Sequence, residues 1–293
     1  RGWAEWNGRF RDTVRKFIRG DSGQTAELAK RLTGSTDIYK DDENHSSNSI
    51  NFITCHDGFT LVDLFSYNNK HNEANHEDNK DGANDNNSTN CGAEGQTSDL
   101  NIIALRKKLI KNAISILMFS SGTPMVLYGD EIMRTQKGNN NAYCQDNDLT
   151  RFNWQDVQTN RDIFEFFKKA VALRKQYLVL KQKGVGSEIT WCGKHLESRQ
   201  PEQTRGKTLC FQVHTKTSPP QSEDCFLFFI LNASSRGAFV GLVQRQDLCW
   251  YRIVNTDLES GEDFLSAGKE ELLKNQNSYR IGPRSVVVLI NKK

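Results

Sequence analysis

The stretch Asn51-Phe-Ile-Thr-Cys-His56-Asp57-Gly58-Phe59-Thr60-Leu61 carries the chemistry most worth following. An apolar run rich in strand formers breaks off at a His-Asp-Gly, as a buried parallel strand does when it delivers polar side chains to a sheet edge. At the carboxyl end of such a strand, His56 and Asp57 would stand where α/β folds keep their reactive groups. The plainer alternative is a His-Asp pair that only caps the turn. The run Thr123-Pro-Met-Val-Leu-Tyr-Gly129-Asp130-Glu131 repeats the design, strand then glycine then carboxylates. It is followed by the polar loop Gly138-Asn-Asn-Asn-Ala-Tyr143-Cys-Gln-Asp146-Asn147. Adjacent residues on an extended segment point to opposite sides, so at most one of Asp130 and Glu131 shares a cleft with Asp57. For Glu131 the simpler expectation is a buried structural carboxylate paired with Arg134 or a helix N-terminus. Tyr143 and Trp154 are single aromatics in loops, which more often pack than bind a ligand.

These pieces resemble the C-terminal half of an isoamylase-type glycogen or starch debranching enzyme of the α-amylase superfamily (glycoside hydrolase family 13). The matching segments are Trp3-Ala-Glu-Trp-Asn-Gly-Arg-Phe-Arg-Asp, the His56-Asp57 stretch, Lys70-His-Asn-Glu-Ala-Asn, Gly129-Asp-Glu and Gly138 to Asn147. Ile189-Thr-Trp191 and Asn232-Ala-Ser234 continue the match more weakly. The resemblance implies hydrolysis of α-1,6 branch linkages with retention, without a cofactor or metal. Retention needs a nucleophilic carboxylate and an acid about 5 Å apart. It makes Asp57 a third carboxylate that stabilises the transition state, and His56, Asn139, Asn140 and Tyr143 sugar contacts. The nucleophile Asp and acid Glu motifs precede Trp3 in the family and do not occur here, so the chain by itself is expected to be inactive. The implied partners are an α-glucan (glycogen, amylopectin or limit dextrin) and the missing N-terminal half of the same enzyme. A non-catalytic glucan-binding or regulatory subunit is the competing reading. Two departures stand out: Met133 replaces a small residue, and Cys192 follows Trp191 where a His is usual.

The elements that must hold these residues read as two regions. Residues 1–180 alternate strand and helix patterns: strands at 3–6, 50–55 and 124–128, and helices at 9–19, 100–119 and 162–175. The helix at 100–119 is apolar almost all round at its end and is expected to be buried. Residues 181–293 carry short runs at 208–213, 225–231, 239–243, 249–254 and 285–290, with Ser218 to Ser222 as a hairpin loop or linker. That pattern reads as an antiparallel β-sandwich closed by the last strand. The expected class is therefore α/β plus all-β: the last three units of a (β/α)8 barrel, then a C-terminal sandwich. Three units cannot close a barrel, so their inner faces would meet water or a partner.

Residues 68–90 contain nine Asn. Composition alone gives a solvated or disordered loop. Calcium is disfavoured, because setting Gly82 at the sixth position of a binding loop puts Glu77 first and Ser88 twelfth. A third reading is an ordered loop whose amides bond sugar hydroxyls. The net charge of +3 is too small and too dispersed for nucleic acid. No apolar run is long enough to span a membrane, and there is no signal peptide. The chain opens on Arg1 within motif-bearing sequence, which reads as a piece of a longer protein. Seven cysteines lie scattered, with Cys210, Cys225 and Cys249 in apolar surroundings. They read as buried, reduced thiols, hence a reducing compartment, and with the resemblance a bacterial cytoplasm or plastid stroma.

Overall fold

The computed structural model describes residues 3–39, 48–177, 189–197, 200, 206–216 and 223–293. The expected boundary at 180/181 and the loop at 218–222 lie outside the described residues. In the first region, β1 (Glu5–Trp6), β2 (Ser49–Asn51) and β3 (Thr123–Pro124) form a parallel sheet in that order. Helices α1 (Gly8–Arg19) and α2 (Gln24–Leu32) connect β1 to β2. The short α3 (Leu61–Leu64) and the long α4 (Leu100–Phe119) connect β2 to β3, and α5 (Asp156–Thr159) and α6 (Arg161–Gln176) follow.

Local sequence explains the helix boundaries. The Asn7 side chain accepts the Phe10 N–H and caps α1, and Gly20 ends it at φ 92°. Asn7 also donates to Ser35 and to Ser49 at the start of β2, which ties the cap to the sheet. Phe10, Val14, Phe17 and Ile18 form the buried stripe of α1. Asp99 caps α4 through the amides of Asn101 and Ile102. From Leu109 to Phe119 every residue of α4 is buried, as its all-round apolarity foretold. Gly122 then turns the chain at φ 119°; a Cβ there would come within 2.7 Å of the Asn51 amide.

The parallel strands are shorter than the apolar runs suggested, three residues rather than six at β2 and two rather than five at β3. Beyond Asn51 the backbone is satisfied differently. The Ile53 carbonyl accepts two bonds from the Arg15 guanidinium instead of one from a neighbouring strand. Outside β3, an open groove of about 690 Å³ is lined by Pro124, Val126, Phe164, Phe167 and Val171.

In the second region six strands run in the order β4 (Ile189–Cys192), β5 (Thr208–Lys216), β6 (Asp224–Asn232), β11 (Ser285–Lys292), β8 (Cys249–Asn255) and β9 (Glu271–Leu272), all antiparallel. A separate pair joins β7 (Ala238–Gly241) to β10 (Ser278–Ile281). The alternation of side chains explains the near-continuous apolar run of β6. Phe228 and Ile230 face the β7/β10 pair with Val240, Trp250 and Ile281. Leu227, Phe229 and Leu231 face the helices, in the same core as Phe17, Ile114 and Phe119. The sheet is thus buried on both sides. Two expectations need correction. β11 does not close the sheet but lies inside it, between β6 and β8, because both of its faces are apolar and need cover. Cys249 is exposed, since the first residue of β8 lies at the rim of the sheet. The strands β4, β9 and β10 had no clear run in the sequence.

Polar contacts fasten the two regions along α4. Lys111 and Asp263 form a buried ion pair at 2.5 Å. Asn112 accepts from the Thr256 hydroxyl and donates to the Arg284 carbonyl.

Candidate functional site

The turn after β2 presents His56 and Asp57 to solvent, their side chains 69% and 79% exposed, with Nε2 and Oδ2 3.5 Å apart. The His56 ring meets Trp6 edge-on, centroids 5.7 Å apart. Trp6 is the last residue of β1, so the ends of two neighbouring parallel strands lie together. Within the turn, the buried Cys55 thiol donates to the Asp57 carbonyl at 3.1 Å, and burial pushes that thiol's pKa up. Gly58 adopts φ 114° and donates its N–H to the Asn140 carbonyl at 2.8 Å. Among the described residues no backbone amide of the turn bonds the Asp57 carboxylate. Both side chains are thus held out to solvent on a turn that Gly58 fastens to Asn140.

Asp130 is not a partner for that carboxylate. It is 3% exposed, accepts the Leu61 N–H at 2.9 Å and is hydrogen-bonded by the Thr54 hydroxyl. Burial raises its pKa to about 7, against those two bonds. It clamps the turn after β3 to the turn after β2. Glu131 is half-buried and accepts the Gly129 N–H at 2.9 Å, capping the short turn 130–132. The expected ion pair with Arg134 is absent among the described residues. Arg134 instead lies over the Tyr128 ring, 4.4 Å from its centroid, because the turn carries its guanidinium back towards Tyr128, whose carbonyl it also bonds.

The Asn-rich loop is described throughout: Asn72, Asn75 and Asn86 are buried, while Asn68, Asn69 and Asn84 face solvent. Asn72 Nδ2 donates to Asn140 Oδ1 while Asn72 Oδ1 accepts the Asn140 N–H, each at 2.9 Å. Asn140 Nδ2 is shared between the Ala83 carbonyl and Asn86 Oδ1. Asn139 Nδ2 donates to Asn75 Oδ1, and Asn139 Oδ1 accepts the Asn141 N–H. Asn139 and Asn140 are each 1% exposed. The expected direct sugar contact is therefore corrected: both amides are already spent on protein partners, and they lock this loop to the Gly138–Asn147 loop. Asp81, a carboxylate that calcium would have needed, accepts from Asn75 and Asn141. Among the described residues no group of three or more His, Cys, Asp or Glu side chains is placed to hold a metal.

Tyr143 is 70% exposed, its hydroxyl 3.4 Å from Glu77, whose charge raises the phenol pKa. Trp154 is 78% exposed and leans on Phe152 at 4.7 Å. Met133 has φ 60°, a left-handed position that explains why a small residue suits it. Cys192 faces Cys210 across β4 and β5, and burial pushes its thiol up to about 12.

Two supports were not picked out from the sequence. Arg15, 4% exposed, bonds the Ile53 carbonyl twice and the Asn86 carbonyl once, and burial lowers its pKa to about 10. The available signal was a cation on the apolar stripe of α1, beside Val14. Asp63, also buried, accepts from the Thr135 hydroxyl and the Gln136 amide at 2.5 and 2.7 Å. It orients the segment that leads into Asn139.

No family model matches the chain. Isoamylase 3, chloroplastic, of Oryza sativa subsp. japonica is 40% identical over 296 residues, covering 98% of this chain and 36% of that protein. A glycogen operon protein GlgX homolog of Mycobacterium tuberculosis is 53% identical over 181 residues, 62% of this chain and 25% of its own length. The chain thus spans about a third or less of the curated relatives it matches. Among solved structures, a pullulanase from Bacillus acidopullulyticus aligns with a TM-score of 0.70 at 18% identity, over 98% of this chain and 30% of that one. A pullulanase from Anoxybacillus sp. LM18-11 complexed with maltotetraose gives 0.67 at 18% identity, over 98% and 35%. At such identities these two speak for the fold alone.

Proposed function

The chain belongs to the isoamylase-type debranching family, matching a C-terminal portion of its members, and on that premise we propose that it supplies one side of an α-glucan-hydrolysing cleft. In this reading residues 1–180 are the last three units of a (β/α)8 barrel and residues 181–293 its C-terminal sandwich. The parent protein hydrolyses α-1,6 branch linkages of glycogen or starch with retention. It works in a plastid stroma or a bacterial cytoplasm, in keeping with the chloroplastic and bacterial relatives; among the described residues no helix is long and apolar enough to cross a membrane.

The observation that carries the proposal is the exposed His56–Asp57 pair at the carboxyl end of β2, braced from behind by Gly58, Asn140 and Asn72. Asp57 accepts hydrogen bonds from hydroxyls of the sugar being cleaved and offsets the positive charge that develops at its anomeric carbon. His56 contacts the same sugar. Tyr143 offers a ring face to a neighbouring glucose, while Asn139 and Asn140 position the loop. The nucleophile and the acid come from the preceding part of the parent, whose strands cover the apolar groove beside β3 and α6. The chain alone then lacks activity. A non-catalytic glucan-binding subunit is set apart by the coding sequence upstream of Arg1, which would lack the Asp-bearing and Glu-bearing strand motifs.

The test is Asp57→Asn in the full-length protein, assayed by reducing ends released from amylopectin. Loss of this one carboxylate costs about 3 kcal/mol of barrier or more, a hundredfold or greater in rate, with thermal melting unchanged. Near-normal turnover by Asp57→Asn would overturn the assignment.

A further inference from the structure

A cavity of about 660 Å³ opens between α3, the first two turns of α4 and the loop after β3. Neither His56, Asp57 nor any residue of the Gly138–Asn147 loop borders it. Three cations stand on its walls: Arg106, Lys107 and Lys137. Arg106 is 6% exposed and has no carboxylate partner among the described residues. Its terminal nitrogens are taken by the carbonyls of Gly95, Asn90 and Ala93, and its Nε has no partner. Lys107 shares its charge with Asp162 at 2.7 Å. Lys137 is exposed, and its ammonium is in no ion pair among the described residues. The acidic residue on the wall, Asp63, is pushed by burial towards its neutral form. A buried guanidinium without a counter-charge is costly, so the cavity favours an anionic group.

The rest of the lining asks for a polyol. Gln96, Thr97 and Asn160 offer donors and acceptors suited to hydroxyls, and Tyr67 and Met133 give an apolar wall for the C–H face of a ring. The volume suits a small molecule of one or two rings rather than a polymer. From this combination we propose that the cavity binds a phosphorylated sugar, its phosphate toward the exposed ammonium of Lys137, with the buried charge of Arg106 behind it, and its hydroxyls toward Thr97 and Asn160. The proposal stands apart from the assignment of Asp57, and the two can fail separately.

The experiment is calorimetric titration of the full-length protein at low salt with glucose 6-phosphate, and separately with glucose, inorganic phosphate and maltotriose. One saturable site is expected for glucose 6-phosphate, at least tenfold tighter than for the other three. Lys137→Gln, at an exposed position, should weaken it at least fivefold without moving the melting temperature, and Thr97→Trp, which fills the cavity, should abolish it. No saturable binding of glucose 6-phosphate would overturn the proposal. So would phosphate or maltotriose binding equally well, or affinity undiminished in both variants.

Discussion

Asp130→Asn is the sharpest probe of how the site is assembled. The carboxyl is 3% exposed, and its bonds to Thr54 and to the Leu61 amide do not offset the loss of water around a charge, so its pKa rises from 3.8 to about 7. A raised carboxyl pKa means that the folded protein keeps a proton the unfolded chain has lost. The resulting stability is fully present below pH 4 and is lost as pH climbs through 7. A full pH unit well inside that window is worth about 1.4 kcal/mol, so between pH 5 and pH 7 the native protein loses about 2 kcal/mol through this group, and a few tenths more by pH 8. Asparagine has nearly the same shape. Its oxygen still accepts the Leu61 N–H, and its NH₂ donates to the Thr54 hydroxyl where the carboxylate accepted from it. Asp130→Asn should therefore remove the pH dependence while keeping the clamp. Urea unfolding of the full-length protein and its variant, followed by tryptophan fluorescence at half-unit steps from pH 5 to pH 8, measures this directly. The variant should gain on the native protein by about 2–3 kcal/mol across that range. Parallel profiles would show that Asp130 is ionised throughout and that its burial is not what sets its pKa.

Ile114, 2% exposed at the middle of α4, should not tolerate a charge: Ile114→Asp is expected to cost more than about 4 kcal/mol, and unchanged thermal melting would contradict the burial of that helix. Arg15→Met retains bulk but abandons two carbonyls, so about 2–4 kcal/mol of stability should be lost; hydrogen exchange should rise first at residues 53–58 and 83–87, and an unaltered exchange pattern there would count against the brace. Phe229, stacked on Phe211 at 4.8 Å and in contact with Phe119, should cost about 3–5 kcal/mol on truncation to Ala, read from the urea midpoint. The isolated chain incubated with glycogen should release no reducing ends above a blank; sustained release, lost on Asp57→Asn, would mean that a second carboxylate within these residues completes the catalytic pair.

How much of this was legible in the sequence depended on how local its cause was. The apolar stripes of α1 and α4 depend on residues within a few positions of one another, and they were readable as written; the caps at Asn7 and Asp99 are just as local but were not picked out. The run before His56 and Asp57 was readable as apolar, but its extent as a strand was not: β2 stops at Asn51, because the Ile53 carbonyl is taken by Arg15 from α1. The placement of β11 inside the sheet was not readable, since the apolar run of Ser285 to Ile290 fits a covered edge as well as a centre. Only the neighbours β6 and β8, with side chains on both faces, decide it. The Asn-rich loop shows the same divide. Its composition fits solvation, calcium or sugar binding equally, because an amide's partners are set by what lies opposite. Here Asn140, 68 residues beyond Asn72, supplies them, and the Asn72 amide turns inward. Residue type fixed which groups can carry charge and hydrogen bonds; tertiary contact decided which were left free. Asp57 kept its solvent while Asp130 lost it, because one ends a turn at the surface and the other is folded under Leu61 and Thr54.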